Sequence, residues 1–148
     1  VSGVKVQISV DTSDARAALR RITKRMGDYR PVFKLAKDYL EQANAENFAT
    51  RGLRSGKKWA AYGNWTPEVG QPAKLVGKTG NLMDSLVNLK GAPNDMGRKS
   101  AKFGTDIEYA EFHQYGTRNM PARTIVFEPF EFSKTMARWV DNYIDEVI

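Results

Sequence analysis

The chain of 148 residues has no cysteine and a single histidine. Without cysteine there is no disulfide framework, thiol nucleophile, iron–sulfur cluster or thiolate zinc, a usage that fits a reducing compartment. One histidine, His113, excludes a multi-histidine metal site within one chain. Apolar runs are short: none approaches the ~18–20 residues of a bilayer-spanning helix, and VSGVKVQISV lacks the charged-then-apolar build of a secretory signal. No membrane contact is therefore expected. Carboxylates are also scarce, 17 against 23 lysines and arginines, for a formal net charge of +6. What is present, 41% hydrophobic and 27% charged residues, suits one ordered domain spanning 1–148.

The charge is unevenly placed. Residues 1–60 hold 13 Lys/Arg against 6 Asp/Glu, and residues 105–148 hold 4 against 8, so a net +7 front precedes a net −4 back. Such a chain can meet nucleic acid through its front, or another copy's back through its front. The plainer alternative is two solvated faces of a monomer.

Along the chain, Val4, Val6, Ile8 and Val10 alternate with polar residues, the period of a half-buried strand. Asp11–Asp14 then offers N-caps for a helix with Arg16, Arg20, Lys24 and Arg25 on its basic side. Pro31 fits the first turn of a long helix over 31–51, with Val32, Leu35, Ala36, Tyr39, Leu40 and Ala43 at helical spacing. Residues 53–78 read as an irregular loop or arm, punctuated by glycine and proline and carrying Trp59, Tyr62 and Trp65. A short helix follows Gly80, residues 91–100 read as a turn or mobile tip, and 101–107 as a strand. A helical turn spans Tyr109–Tyr115, Thr124–Phe127 is β-branched and aromatic like a strand, and 130–147 is an amphipathic helix. The fold class is α+β: a small, mostly antiparallel sheet packed against the long helix and the C-terminal helix.

Catalytic patterns are thin. His113 lies near Glu111, Asp106 and Glu108, but no serine sits in a nucleophile elbow, and a histidine between Phe112 and Tyr115 reads as structural. Gly77-Lys78-Thr79 has the letters of a phosphate loop, yet Pro72 stands where its first glycine belongs. Neither a catalytic residue nor a metal or cofactor is expected. Arg51, Arg54, Lys57 and Lys58 beside Trp59 and Tyr62 could hold phosphates and stack on bases, making non-specific nucleic-acid binding by the basic half the rival reading.

Four segments carry more information. Trp59 is followed by Trp65-Thr66-Pro67, then by Leu75-Val76-Gly77-Lys78-Thr79-Gly80-Asn81-Leu82-Met83-Asp84-Ser85-Leu86. Farther on stand Tyr109-Ala110-Glu111-Phe112-His113-Gln114-Tyr115-Gly116 and Pro121-Ala122-Arg123. Together they resemble the tailed-bacteriophage virion morphogenesis proteins, the family of tail-completion and neck (head–tail joining) components. Three departures stand out: Lys78 is an extra residue before Thr79, Phe112 replaces a smaller aliphatic, and Thr124 replaces a proline.

The resemblance implies a non-enzymatic virion protein of the neck or tail, made in the host cytoplasm. It implies a homo-oligomeric ring, hexameric or dodecameric, touching other phage neck and tail proteins and, non-specifically, DNA in the channel. Leu75, Thr79, Gly80, Leu82, Ser85, Tyr109, Ala110, His113, Gln114, Gly116, Pro121 and Arg123 are then the structural residues of the motif. Gly80 and Gly116 suit turns, Tyr109 and Phe112 are spaced to pack one side of a turn, and Arg123 offers a forked donor for carbonyls or a carboxylate. Arg16, Arg20, Lys24, Arg25, Trp59, Trp65, Asp141 and Asp145 are the candidate contacts with a neighbouring subunit or partner.

Overall fold

A computed structural model describes residues 3–9, 27–63, 70, 71, 73–75 and 80–145. Strand β1, Val4–Ser9, buries Val4 and Ile8 and exposes Lys5, Gln7 and Ser9, as a strand's two-residue period dictates. It pairs antiparallel with β3, Ser100–Thr105, from Val4 opposite Thr105 to Ser9 opposite Ser100. The 91–100 tip contains a further strand, β2, Asp95–Met96, on the other side of β3. The result is a three-stranded antiparallel sheet in the order β1-β3-β2. With its helices it makes the protein α+β.

Helix α1, Arg30–Ala49, is the spine. Its start is organised by Asp28, whose carboxylate accepts the Arg30 N–H at 3.1 Å and the Arg30 guanidinium Nε at 2.8 Å. Those bonds, foremost the side-chain one, hold the Asp28 carboxyl at a pKa of about 2. Pro31 occupies the first turn, where its missing N–H costs nothing. The helix ends earlier than its spacing suggests, because the Gly52 N–H turns back to the Asn47 carbonyl at 2.8 Å. A Cβ on Gly52 would lie 2.5 Å from the Trp59 ring, so glycine alone lets the chain pass there.

Two apolar clusters flank α1. Val32, Phe33, Ala36 and Leu40 meet Ile8, Ala101 and Phe103 of the sheet, together with Phe132 and Met136 of α4, Phe132–Asp145. Phe48, near the end of α1, joins Trp59, Ala73, Leu75, Ile125 and Val126, with Leu82 and Leu86 of α2, Asn81–Val87. Expected over 130–147, α4 begins at Phe132 because the Phe132 N–H closes a turn on the Pro129 carbonyl at 2.9 Å. Tyr143 of α4 donates to the Asp28 carbonyl at 2.6 Å, tying the chain's end to the start of α1.

The run 124–127 is not a strand. It is buried at Ile125 and Val126, but its backbone bonds go to side chains. The described parts of the 53–78 segment lie on the body of the protein: a single 3-10 turn at Leu53–Ser55, then Trp59, Ala73 and Leu75 in the second cluster. The expected helix with Arg16, Arg20, Lys24 and Arg25, and the residues Trp65 and Thr79, lie outside the described residues.

Candidate subunit-contact site

Helix α3, Ala110–Tyr115, carries most of the Tyr109–Gly116 segment of the motif. Its Gln114 reaches the 124–127 run as a backbone strand would. Oε1 accepts the Ile125 and Val126 N–H groups at 2.8 and 2.9 Å, and Nε2 donates to the Val126 carbonyl at 2.7 Å. One side chain thus satisfies three backbone groups of a buried segment.

The preceding residues are held as firmly. The Thr124 carbonyl accepts both Asn47 Nδ2 at 3.0 Å and Trp59 Nε1 at 2.8 Å. Arg123, 2% exposed, donates Nε to the Ala60 carbonyl at 2.9 Å and Nη2 to the Ala61 carbonyl at 3.0 Å. Its guanidinium also lies 5.5 Å from the centre of the Tyr62 ring, a cation–π contact. Burial lowers the pKa of Arg123, though an arginine stays charged. Of the two partners open to the Arg123 fork, backbone carbonyls are the ones used.

Gly116 ends α3 at φ 74° and ψ 173°, a region reserved almost wholly for glycine. Its missing Cβ leaves room for Ala122, whose nitrogen would stand 2.8 Å away. The Arg123 N–H then bonds the His113 carbonyl at 2.6 Å, closing the loop back on α3. Buried Nδ1 of His113 has no hydrogen-bond partner, and burial, with Arg123 nearby, lowers the pKa of the imidazole.

The other motif residues are likewise structural. Gly80 precedes α2 in the left-handed region at φ 67°, Leu82 is buried, and Ser85 Oγ lies 2.9 Å from Thr105 Oγ1 of β3. Leu75 is buried at φ 55°, unusual for a branched residue, and its N–H donates to Tyr62 Oη at 3.1 Å. Ala110 is buried and Pro121 exposed.

Three readings change. Tyr109 and Phe112 do not pack inside a turn: they are 44% and 49% exposed, because Ala110 and Gln114 take the inner face of α3. Trp59 is not a free subunit contact, since it is 5% exposed, its ring 5.4 Å from Phe48 and its indole N–H spent on the Thr124 carbonyl. The basic–aromatic cluster for nucleic acid is committed in part, at Trp59 and Arg54, while Lys57 and Lys58 stay exposed. Arg54 bonds Glu46 at 3.0 Å and also pairs with Glu131, which accepts the Tyr39 hydroxyl as well. Asp141 and Asp145 are exposed on α4.

The sequence reading missed Asn44 and Asn47, both buried on α1, the first donating to the Leu86 carbonyl at 2.8 Å. Two asparagines at core positions of an apolar stripe were the available signal. Among the described residues no group of three His, Asp or Glu side chains could hold a metal ion, and no helix is long and apolar enough to cross a membrane.

Neither a curated protein nor a solved structure matches the chain. The sequence pattern of the phage virion morphogenesis family does match, over residues 10–146. That span takes in α3, the Gln114 and Arg123 locks and all the elements they join, and the chain accordingly belongs to the phage virion morphogenesis family, with a role in the structure or assembly of the phage virion.

Proposed function

We propose that the protein is a non-enzymatic tail-completion or neck component, joining heads to tails or closing the tail end as a homo-oligomeric ring alongside other neck and tail proteins. The observation that carries this reading is how the motif's polar side chains are used. Gln114, Arg123 and Trp59 all end on backbone groups of the same chain, and Ser85 on Thr105. Those four side chains are spent on the fold itself and do not converge on a common point, as the groups of a catalytic site do. Such locks build a rigid body, which is what a load-carrying ring subunit needs. The net +7 of residues 1–60 and the net −4 of residues 105–148 are the complementary charge that a closing, head-to-tail interface would use.

Electron cryomicroscopy of intact virions, with sedimentation of the purified protein, tests the reading. A ring at the neck or tail end is expected, and phage lacking the protein should accumulate unjoined heads and tails. A monomeric location in the virion overturns the ring. Tight DNA binding that falls steeply with salt, without self-association, favours the nucleic-acid alternative instead.

A further inference from the structure

Tyr109, the N-cap of α3, and Phe112 and Tyr115 within it recur every three residues and are 44%, 49% and 70% exposed. At that spacing each ring is offset by ~60° from the last, so the three form one stripe turned away from buried Ala110. Three neighbouring aromatics on a soluble surface mark an interaction site more often than a solvated face. The stripe is also rigid. Gln114 and the bond from Arg123 to His113 hold α3 from its inner side, so little freedom is lost when the stripe docks.

The rim of the stripe identifies the partner's charge. Residues 105–116 contain Asp106, Glu108 and Glu111 and no lysine or arginine. Among the described residues no ion pair reaches those three carboxylates. An acidic rim repels phosphate, so the occupant is a basic protein surface with an apolar centre.

The same chain carries one. Residues 49–60 hold four cations and no carboxylate. Arg54 is taken up by Glu46 and Glu131, which leaves Arg51, Lys57 and Lys58 flanking Leu53 in the sequence, Leu53 itself being 58% exposed. This loop is closed by a bond from the Trp59 N–H to the Arg51 carbonyl at 2.6 Å, so it too is preformed.

We propose that the aromatic stripe of α3 docks on the Leu53 loop of a second copy, with Glu108 and Glu111 facing its Lys57 and Lys58. The inference rests on the self-assembly reading above and names the contact that would carry it.

The test is sedimentation velocity on the full chain and its variants, with thermal unfolding as a control. Wild type self-associates. Phe112→Ser, and separately the pair Glu108→Lys with Glu111→Lys, weakens association about tenfold or more, as loss of a central interface contact does. Tyr115→Ser serves if Phe112→Ser fails to fold. Lys57→Glu with Lys58→Glu weakens it similarly, and combining all four charge reversals in one chain restores it. Association untouched by these variants overturns the contact and leaves the ring standing. Weakening without rescue by the combined variant overturns the pairing with the Leu53 loop and places the stripe against another face of the second copy. A wild type that stays monomeric at every concentration overturns the self-assembly reading and the contact together.

Discussion

Replacing Gln114 by methionine tests the most unusual element of the fold. Methionine keeps the length and much of the packing of glutamine but removes both polar atoms. The change deprives the Ile125 and Val126 N–H groups and the Val126 carbonyl of their partners. Ile125 is fully buried and Val126 nearly so, whereas Gln114 is half-buried and leaves one side open to water. Each buried group left unpaired costs ~1–3 kcal/mol, and water reaching one of the three reduces the total. A loss of about 3 kcal/mol is therefore expected. It is measured as a lower urea midpoint at unchanged slope, since the surface exposed on unfolding is the same. Hydrogen exchange supplies the local readout: the amides of Ile125 and Val126 should lose protection first. If Gln114→Met stays within ~0.5 kcal/mol of wild type, the ordinary scatter of surface substitutions, the side-chain clamp is not what holds this segment.

Other substitutions test the neighbouring locks. Arg123→Lys keeps the charge but loses the fork that spans the Ala60 and Ala61 carbonyls, so a destabilisation of about 2 kcal/mol is expected in urea unfolding. Gly116→Ala places a Cβ 2.8 Å from the Ala122 nitrogen at a backbone angle that alanine rarely adopts, and should cost about 2 kcal/mol or more; a neutral result contradicts the loop geometry. His113 ties stability to pH: its folded pKa lies below the ordinary 6.5, so the unfolded chain takes up the proton first. Stability is then full above pH 6.5 and declines as pH falls from there through the folded value. His113→Gln should flatten that slope in a pH series of thermal melts.

The regular elements were readable because one periodicity decides each of them. In β1 the alternation of valines and isoleucine places one face inside, and in α1 and α4 the three-to-four spacing does the same. The 124–127 run shows where that logic stops. Its β-branched residues suggest a buried strand, and the burial is present at Ile125 and Val126, but the chain bends at Val126. A strand also needs a neighbouring backbone, and here Gln114, Asn47 and Trp59 stand in for it from three other segments. No local pattern can announce a partner that is a side chain 65 or 77 residues away.

Periodicity was equally silent on which side of α3 faces in. Tyr109 and Phe112 have the spacing of a packed face, and large rings are ordinarily core-builders. Six residues of helix cannot bury two faces, however, and the inner one is fixed by small Ala110 and by Gln114, whose amide must reach the 124–127 backbone. The aromatic residues are left outside as a geometric consequence of the lock. A motif that resembles a family can thus hold two kinds of residue at alternating positions. Gln114, Gly116 and Arg123 fix the loop, and the rings of Tyr109, Phe112 and Tyr115 are presented by it. The two roles separate experimentally, because changing a lock should lower stability, whereas changing an exposed ring should alter association and leave the melting temperature in place.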